Sequence, residues 1–294
     1  MNAFARYHPF VNLIYFICVF TFSCVFMHPV CLATSLVCAG ITAAWFAGRG
    51  FAKSLLFIAP TALVFGLVNP LFNHRGVTVL GYFPGGNPLT AESVIYGIAA
   101  AAMLISVMCW FLAFNKIMTS DKFVYLFGKV MPSLSLVISM TLRFVPKFIG
   151  ELKALAQAQA GIGKGATGGG RLSSLKRGIK LLYAQMGLAM ENAVDTADSM
   201  RCRGYGKKDR TAYSTFRFKS SDGIFLAVTL ALTGYIVFGA VKGQLWGNYF
   251  PALTYKTEGI WQTTIFAAYF LLGLLPVIIG IGEEIKWKIL KSKI

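Results

Sequence analysis

Acidic residues are scarce in this sequence, with 11 Asp and Glu against 28 Lys and Arg over 294 positions. None of them falls at the middle of a predicted membrane span. A chain that moves protons or cations by itself normally keeps an ionisable group at that depth, so a self-sufficient secondary transporter is disfavoured. Histidine is scarcer still, at three. His8 is expected on one side of the membrane and His28 and His74 on the other, so no single site gathers all three as metal ligands. The cysteines Cys18, Cys24, Cys31, Cys38, Cys109 and Cys202 form no C-x-x-C pair, and five lie in apolar runs, where they read as small packing residues. Glu283 and Glu284 are adjacent, point to different sides of a helix, and read as a solvated tail. No catalytic cluster, metal or cofactor is predicted, which also disfavours a membrane-embedded enzyme.

Charge as a whole is thin, at 13% of residues against about 25% in a soluble domain. With 56% hydrophobic residues and a mean hydropathy of +0.64, a soluble fold is excluded. The net charge of +17 would suit nucleic acid, but Lys and Arg gathered between apolar runs mark cytoplasmic loops instead. No nucleic-acid partner is predicted.

What the sequence has in quantity is apolar length. Residues 11–27, 30–47, 54–70, 91–114, 223–241 and 260–281 approach or reach the roughly 17 to 25 residues a spanning helix needs. The first run leads into the second with no small-residue cleavage site, so no cleavable signal peptide is expected. Residues 123–149 are apolar but interrupted by Lys129, Pro132, Arg143, Pro146 and Lys147, and read as surface or bundle-packed helices rather than a clean span. Asn69 to Gly76 suits either a ligand contact or turns capping a span. Trp246, Tyr249, Phe250 and Tyr255 read as an interfacial belt, and the tail from Glu283 as a short basic helix with Trp287 at the interface. Placing both termini, the 48–53 turn and residues 115–222 in the cytoplasm leaves only Arg75, Lys242 and Lys256 outside, as the positive-inside rule requires. The expectation is an all-α polytopic membrane protein of about six transmembrane helices plus two long cytoplasmic amphipathic helices. Its parts are a four-span bundle at 1–122, a cytoplasmic region at 123–222, and a transmembrane pair with a basic tail at 223–294.

About half of the basic residues lie between Arg143 and Arg210. Pro146 would break or kink a helix, so the first cytoplasmic helix is expected from near it to Gln159. A glycine-crowded break at 161–170 follows. It is no phosphate loop, because Gly163-Lys164 precedes Gly165 rather than Ser or Thr and no strand leads into it; it reads as a flexible linker. Beyond it, Leu172, Leu175, Ile179, Leu182, Met186, Ala189, Ala193 and Met200 recur at steps mostly of three or four, with Thr196 in the gap. Lys176, Arg177, Lys180, Glu191, Asp195 and Asp198 lie elsewhere, so the helix is amphipathic. It ends in Arg201-Cys202-Arg203-Gly204-Tyr205-Gly206, a basic last turn stopped by glycine. Arg203 lies three residues past Met200 and is expected on the packing face. It either anchors a partner's groove with its rigid fork of donors or merely offsets the helix dipole, worth about 0.3–1 kcal/mol.

The order of these features resembles the transmembrane T component of energy-coupling factor (ECF) transporters over essentially the whole chain. The matching elements are Leu142-Arg143-Phe144-Val145-Pro146, Glu151, the Ala156-Gln157 helix and Met200 to Tyr205, together with His8-Pro9 and Asn69-Pro70-Leu71-Phe72-Asn73. The resemblance implies a non-catalytic subunit of a bacterial or archaeal cytoplasmic membrane, partnered by two ABC-type ATPases and a substrate-binding S component that imports a vitamin or a transition-metal ion. It implies that each cytoplasmic helix ends in an Ala-Arg-Gly-like triplet docked on one ATPase. The second triplet falls on Cys202, Arg203 and Gly204. The first falls on Gln159, Ala160 and Gly161, where the expected arginine is Ala160, which implies asymmetric coupling, a contact shifted to Lys164, or a weakened complex. Pro146, Gly163 and Gly165 are the hinge positions this motion suggests.

Overall fold

The computed structural model describes residues 3–48, 50–74, 76–82, 87–163, 171–205, 216–250, 254–255 and 259–292. A 3₁₀ turn at Ala3–Arg6 leads into α1 (Pro9–Val25), α2 (Pro29–Ala47), α3 (Gly50–Phe72), α4 (Ala91–Ile117), α5 (Ser120–Val130), α6 (Pro132–Gly161), α7 (Arg171–Cys202), α8 (Ser220–Val241) and α9 (Ile260–Ser292). Two small antiparallel pairs, β1 (Val79–Tyr82) with β2 (Pro88–Thr90) and β3 (Gly247–Asn248) with β4 (Thr254–Tyr255), close connections between helices. The protein is an all-α polytopic membrane protein. It divides into two compact units, one of residues 1–123 with 216–294 and one of residues 124–215.

The first two helices begin the same way. In His8-Pro9 and in His28-Pro29 the histidine Nδ1 accepts the amide of the second residue on, Phe10 and Val30, each at 3.3 Å. Proline at the first helical position has no N–H to leave unpaired. What the sequence suggests as a polar start and a turn is therefore a repeated helix cap.

Among the described residues, six helices are long and apolar enough to cross a membrane: α2, α3, α4, α6, α8 and α9. Five of these match expected spans, whereas α1 is apolar but only 17 residues long. The sixth, α6, runs unbroken through Pro146, so the helix start expected near that residue is corrected. Proline costs one backbone bond and crowds the preceding turn, a local defect that membrane helices absorb; Pro60, Pro70 and Pro276 also lie inside helices here. Pro70 and Asn69 thus belong to α3 and not to a free outer segment. The tail is likewise no separate helix, since α9 continues to Ser292.

In the larger unit, α1, α2, α4, α8 and α9 share one core around the fully buried Tyr15, Phe16, Trp110, Ile236 and Leu272. Lipid is as apolar as leucine, so cohesion comes from close approach and internal hydrogen bonds. The Tyr15 hydroxyl donates to the Leu272 carbonyl at 3.1 Å. Hydroxyls of Ser23, Ser35 and Ser106 link three helices at 2.9 and 2.5 Å. On α4, Gly97 lies so near α3 that a Cβ there would stand 2.5 Å from the Gly66 carbonyl oxygen. Tyr249 is buried against Leu32 and Ala99, and its hydroxyl donates to the Met27 carbonyl at 2.7 Å.

Candidate functional site

Within unit 124–215, α6 and α7 pack on each other. Gln185 Nε2 donates to Glu151 Oε2 at 2.9 Å, and Glu151 pairs with Lys147 one turn earlier at 3.6 Å. The inward row of α7 is Ser174, Leu181, Gln185, Asn192, Thr196 and Met200, all buried or half-buried. These side chains are mostly small or polar. The large apolar residues expected to pack stand on the other face: Leu172 is 86% exposed, Leu182 54% and Met186 67%, with Tyr183, Met190 and Val194 extending the patch. Leu172 and Leu181 are nine residues apart, which at about 100° per residue sets them on opposite sides of the helix. The periodic row is real but faces outward, and only Ala189 and Met200 of it are sheltered.

The end of α7 closes with two backbone bonds. Tyr205 N–H reaches the Met200 carbonyl at 3.0 Å and Gly204 N–H the Arg201 carbonyl at 2.9 Å, with Gly204 at φ 81°. This is the paired closure that a left-handed glycine permits. Arg203 is still held in the helical pattern by its amide bond to Ser199 at 3.2 Å. Its position continues the inward row from Thr196 and Met200, one step past the helix, so its side chain is exposed beside those of Arg201 and Cys202. The tip therefore offers two guanidinium groups and a fixed backbone turn. Gly206 and Lys207 lie outside the described residues.

At the end of α6 the left-handed glycine is Gly163, at φ 75°, whose amide donates to the Ala160 carbonyl at 3.1 Å. The residue that precedes the stop is thus Ile162, 69% exposed, where α7 has Arg203. Geometrically, Gly161-Ile162-Gly163 matches Cys202-Arg203-Gly204, two residues on from the Gln159-Ala160-Gly161 suggested by sequence order. Ala160 and Gly161 are exposed on this tip, and Pro146 is exposed midway along α6. Lys164 and Gly165 lie outside the described residues. Among the described residues no three His, Cys, Asp or Glu stand close enough to share a metal ion.

Sequence reasoning missed two residues that flank this unit. Lys122 Nζ donates to the Ala5 carbonyl at 2.7 Å, and the Asp222 carboxylate accepts the His8 amide at 3.0 Å. The one available signal was a lone acid three residues into an apolar helix, a position that favours carboxylates.

Comparison with known proteins gives these features a family. The model of a family described as cobalt transport protein, CbiQ, matches residues 4–213. The energy-coupling factor transporter transmembrane protein EcfT of Leuconostoc gelidum subsp. gasicomitatum is 31% identical over 121 residues, 41% of this chain and 44% of that protein. The proteins of the same name from Macrococcus caseolyticus and Staphylococcus aureus are 28% and 26% identical over 198 and 201 residues, each match spanning 72% of the relative. The chain spans less than half the length of the Leuconostoc relative.

Proposed function

The chain belongs to the CbiQ cobalt transport protein family and is a transmembrane T component of an ECF transporter, and we propose that it is the non-catalytic scaffold coupling two ABC-type ATPases to a substrate-binding S component. ATP is hydrolysed in the partner chains. Their closure draws the tips of α6 and α7, and the motion reorients the S component to import a vitamin or a transition-metal ion, cobalt being the ion in the family's description.

The observation that carries this reading is the α7 tip. A helix closed rigidly by Gly204 presents exposed Arg201 and Arg203 at its end, and a guanidinium on a fixed backbone suits the carboxylates and carbonyls of a partner's groove. The free apolar face from Leu172 to Val194 supports a second partner, since so large an exposed patch marks an interaction surface. At the α6 tip, Ile162 offers an apolar contact in place of a guanidinium, so the two ATPase contacts differ in chemistry. The distribution of Lys and Arg supports unit 124–215 and both termini lying on the cytoplasmic side.

Affinity purification in mild detergent tests this. Wild-type protein should carry nucleotide-hydrolysing chains and a small membrane protein with it. Arg203→Glu should lose most of the ATPase, while Arg201→Glu should keep it. Unchanged recovery of the ATPase with Arg203→Glu would show that docking lies elsewhere.

A further inference from the structure

Unit 124–215 joins the rest of the chain at two roots, Lys122-Phe123 before it and Phe216 to Asp222 after it. Both roots are fastened to one short N-terminal segment. At the first, the Lys122 ammonium donates to the Ala5 carbonyl at 2.7 Å. At the second, the two oxygens of Asp222 accept the His8 amide at 3.0 Å and the Lys219 amide at 2.8 Å. The His8 ring meets Phe218 edge-on at 5.6 Å. Phe4 anchors the segment among Tyr15, Phe16, Phe46 and Phe225, with ring centroids 5.4 to 6.4 Å away.

Burial makes these bonds matter. Lys122 and Asp222 are each only 4% exposed, and a charge out of water keeps its place only while its partners keep theirs. Burial pushes the Lys122 ammonium down to about 8, which still leaves it mostly charged at neutral pH. The two contacts are main-chain contacts, so they depend on the path of residues 5–8 and not on which side chains those residues carry.

We propose that residues 3–8 form a clasp that holds the two roots of unit 124–215 together throughout the transport cycle, with Lys122 and Asp222 as its positioning residues. Resting on the coupling role above, the clasp explains how force applied at the tips reaches the spans. With its roots tied, the unit turns as a lever instead of parting α5 from α8. The pivot then lies within the unit. The break between α5 and α6 at Met131, with φ −135° and ψ 84°, is one such place.

The experiment measures the distance between the roots by electron spin resonance. Spin labels go on Asp121→Cys and Arg217→Cys, with the exposed Cys24 and Cys202 replaced by Ser, in the full assembly purified with its ATPases. The expected result is a single narrow distance that is the same with ADP and with ATP plus vanadate. Asp222→Asn and Lys122→Met should each lengthen and broaden it. A wild-type distance that moves with nucleotide, or variants that remain narrow, would overturn the clasp. Where Asp222→Asn is not recovered from the membrane, Lys122→Met decides, because it places an apolar chain of similar length in the same space. If no ATPase accompanies the wild-type chain, the coupling role fails, and the nucleotide-free comparison of variants still decides the clasp.

Discussion

The main-chain amide of His8 donates to the Asp222 carboxylate at 3.0 Å across 214 residues of sequence. Asp222 also caps the start of α8 by accepting the Lys219 amide at 2.8 Å, and a carboxylate in a first turn suits the helix dipole. One buried side chain thus starts a span and closes the chain on itself. Asp222→Ala strands one buried donor, the His8 amide, and one partly buried donor, the Lys219 amide, at a cost of about 1–3 kcal/mol. Its thermal midpoint in detergent should fall clearly below that of wild type. Asp222→Asn, which retains one acceptor oxygen, should fall less. Equal midpoints for wild type and Asp222→Ala would show that the carboxylate adds nothing to stability.

Lys122 predicts a pH dependence with a definite sign. Its folded value of about 8 lies below the ordinary 10.5, so between those values the unfolded chain binds more protons and stability rises with pH. The cost of burying the charge is fully present below about pH 8 and relieved towards 10.5. Lys122→Met lacks this contribution. The stability difference between wild type and Lys122→Met, measured by thermal unfolding at about pH 7.5 and about pH 9.5, should shift in favour of wild type at the higher pH. A shift in the opposite direction would contradict the burial of this ammonium.

The contact between α3 and α4 depends on Gly97. A Cβ there would meet the Gly66 carbonyl at 2.5 Å and the Pro70 ring at 3.2 Å, and backbone cannot yield as a flexible side chain does. Gly97→Val should cost about 1–3 kcal/mol and loosen α3, seen as a lower unfolding midpoint. Gly40, where an added Cβ would meet nothing within 4 Å, should accept alanine without loss.

The α7 tip predicts a conformational requirement separate from charge. Gly204 sits at φ 81°, where a residue with a Cβ is penalised by about 1–2 kcal/mol. Gly204→Val should open the last turn and weaken recovery of the ATPases, although both arginines remain. Gly204→Asn, which tolerates the left-handed region, should retain them.

Much of the architecture is legible in local pattern. Apolar length locates five of the spans, and the glycine after a basic turn locates the end of α7 at Gly204. The departures have physical causes. Pro146 reads as a helix boundary because proline removes one backbone bond and crowds the preceding turn, yet α6 keeps its remaining bonds on both sides and runs for 30 residues. The row from Leu172 to Met186 is expected to pack because large apolar residues usually do. Here the inward row of α7 is mostly small and polar, and the large residues stand exposed on the other face. The roles of Tyr249 and Asp222 are out of reach, since their partners, Met27 and His8, are more than 200 positions away. Local pattern carries no trace of such pairings.

The most direct measurement is site-specific photocrosslinking from position 203 in membranes of the native host. Coupling through the α7 tip predicts covalent capture of a nucleotide-hydrolysing chain, with no such product from Trp246, which is exposed beyond the far end of α8. Capture of lipid alone at position 203, or of the ATPase equally from both positions, would contradict it.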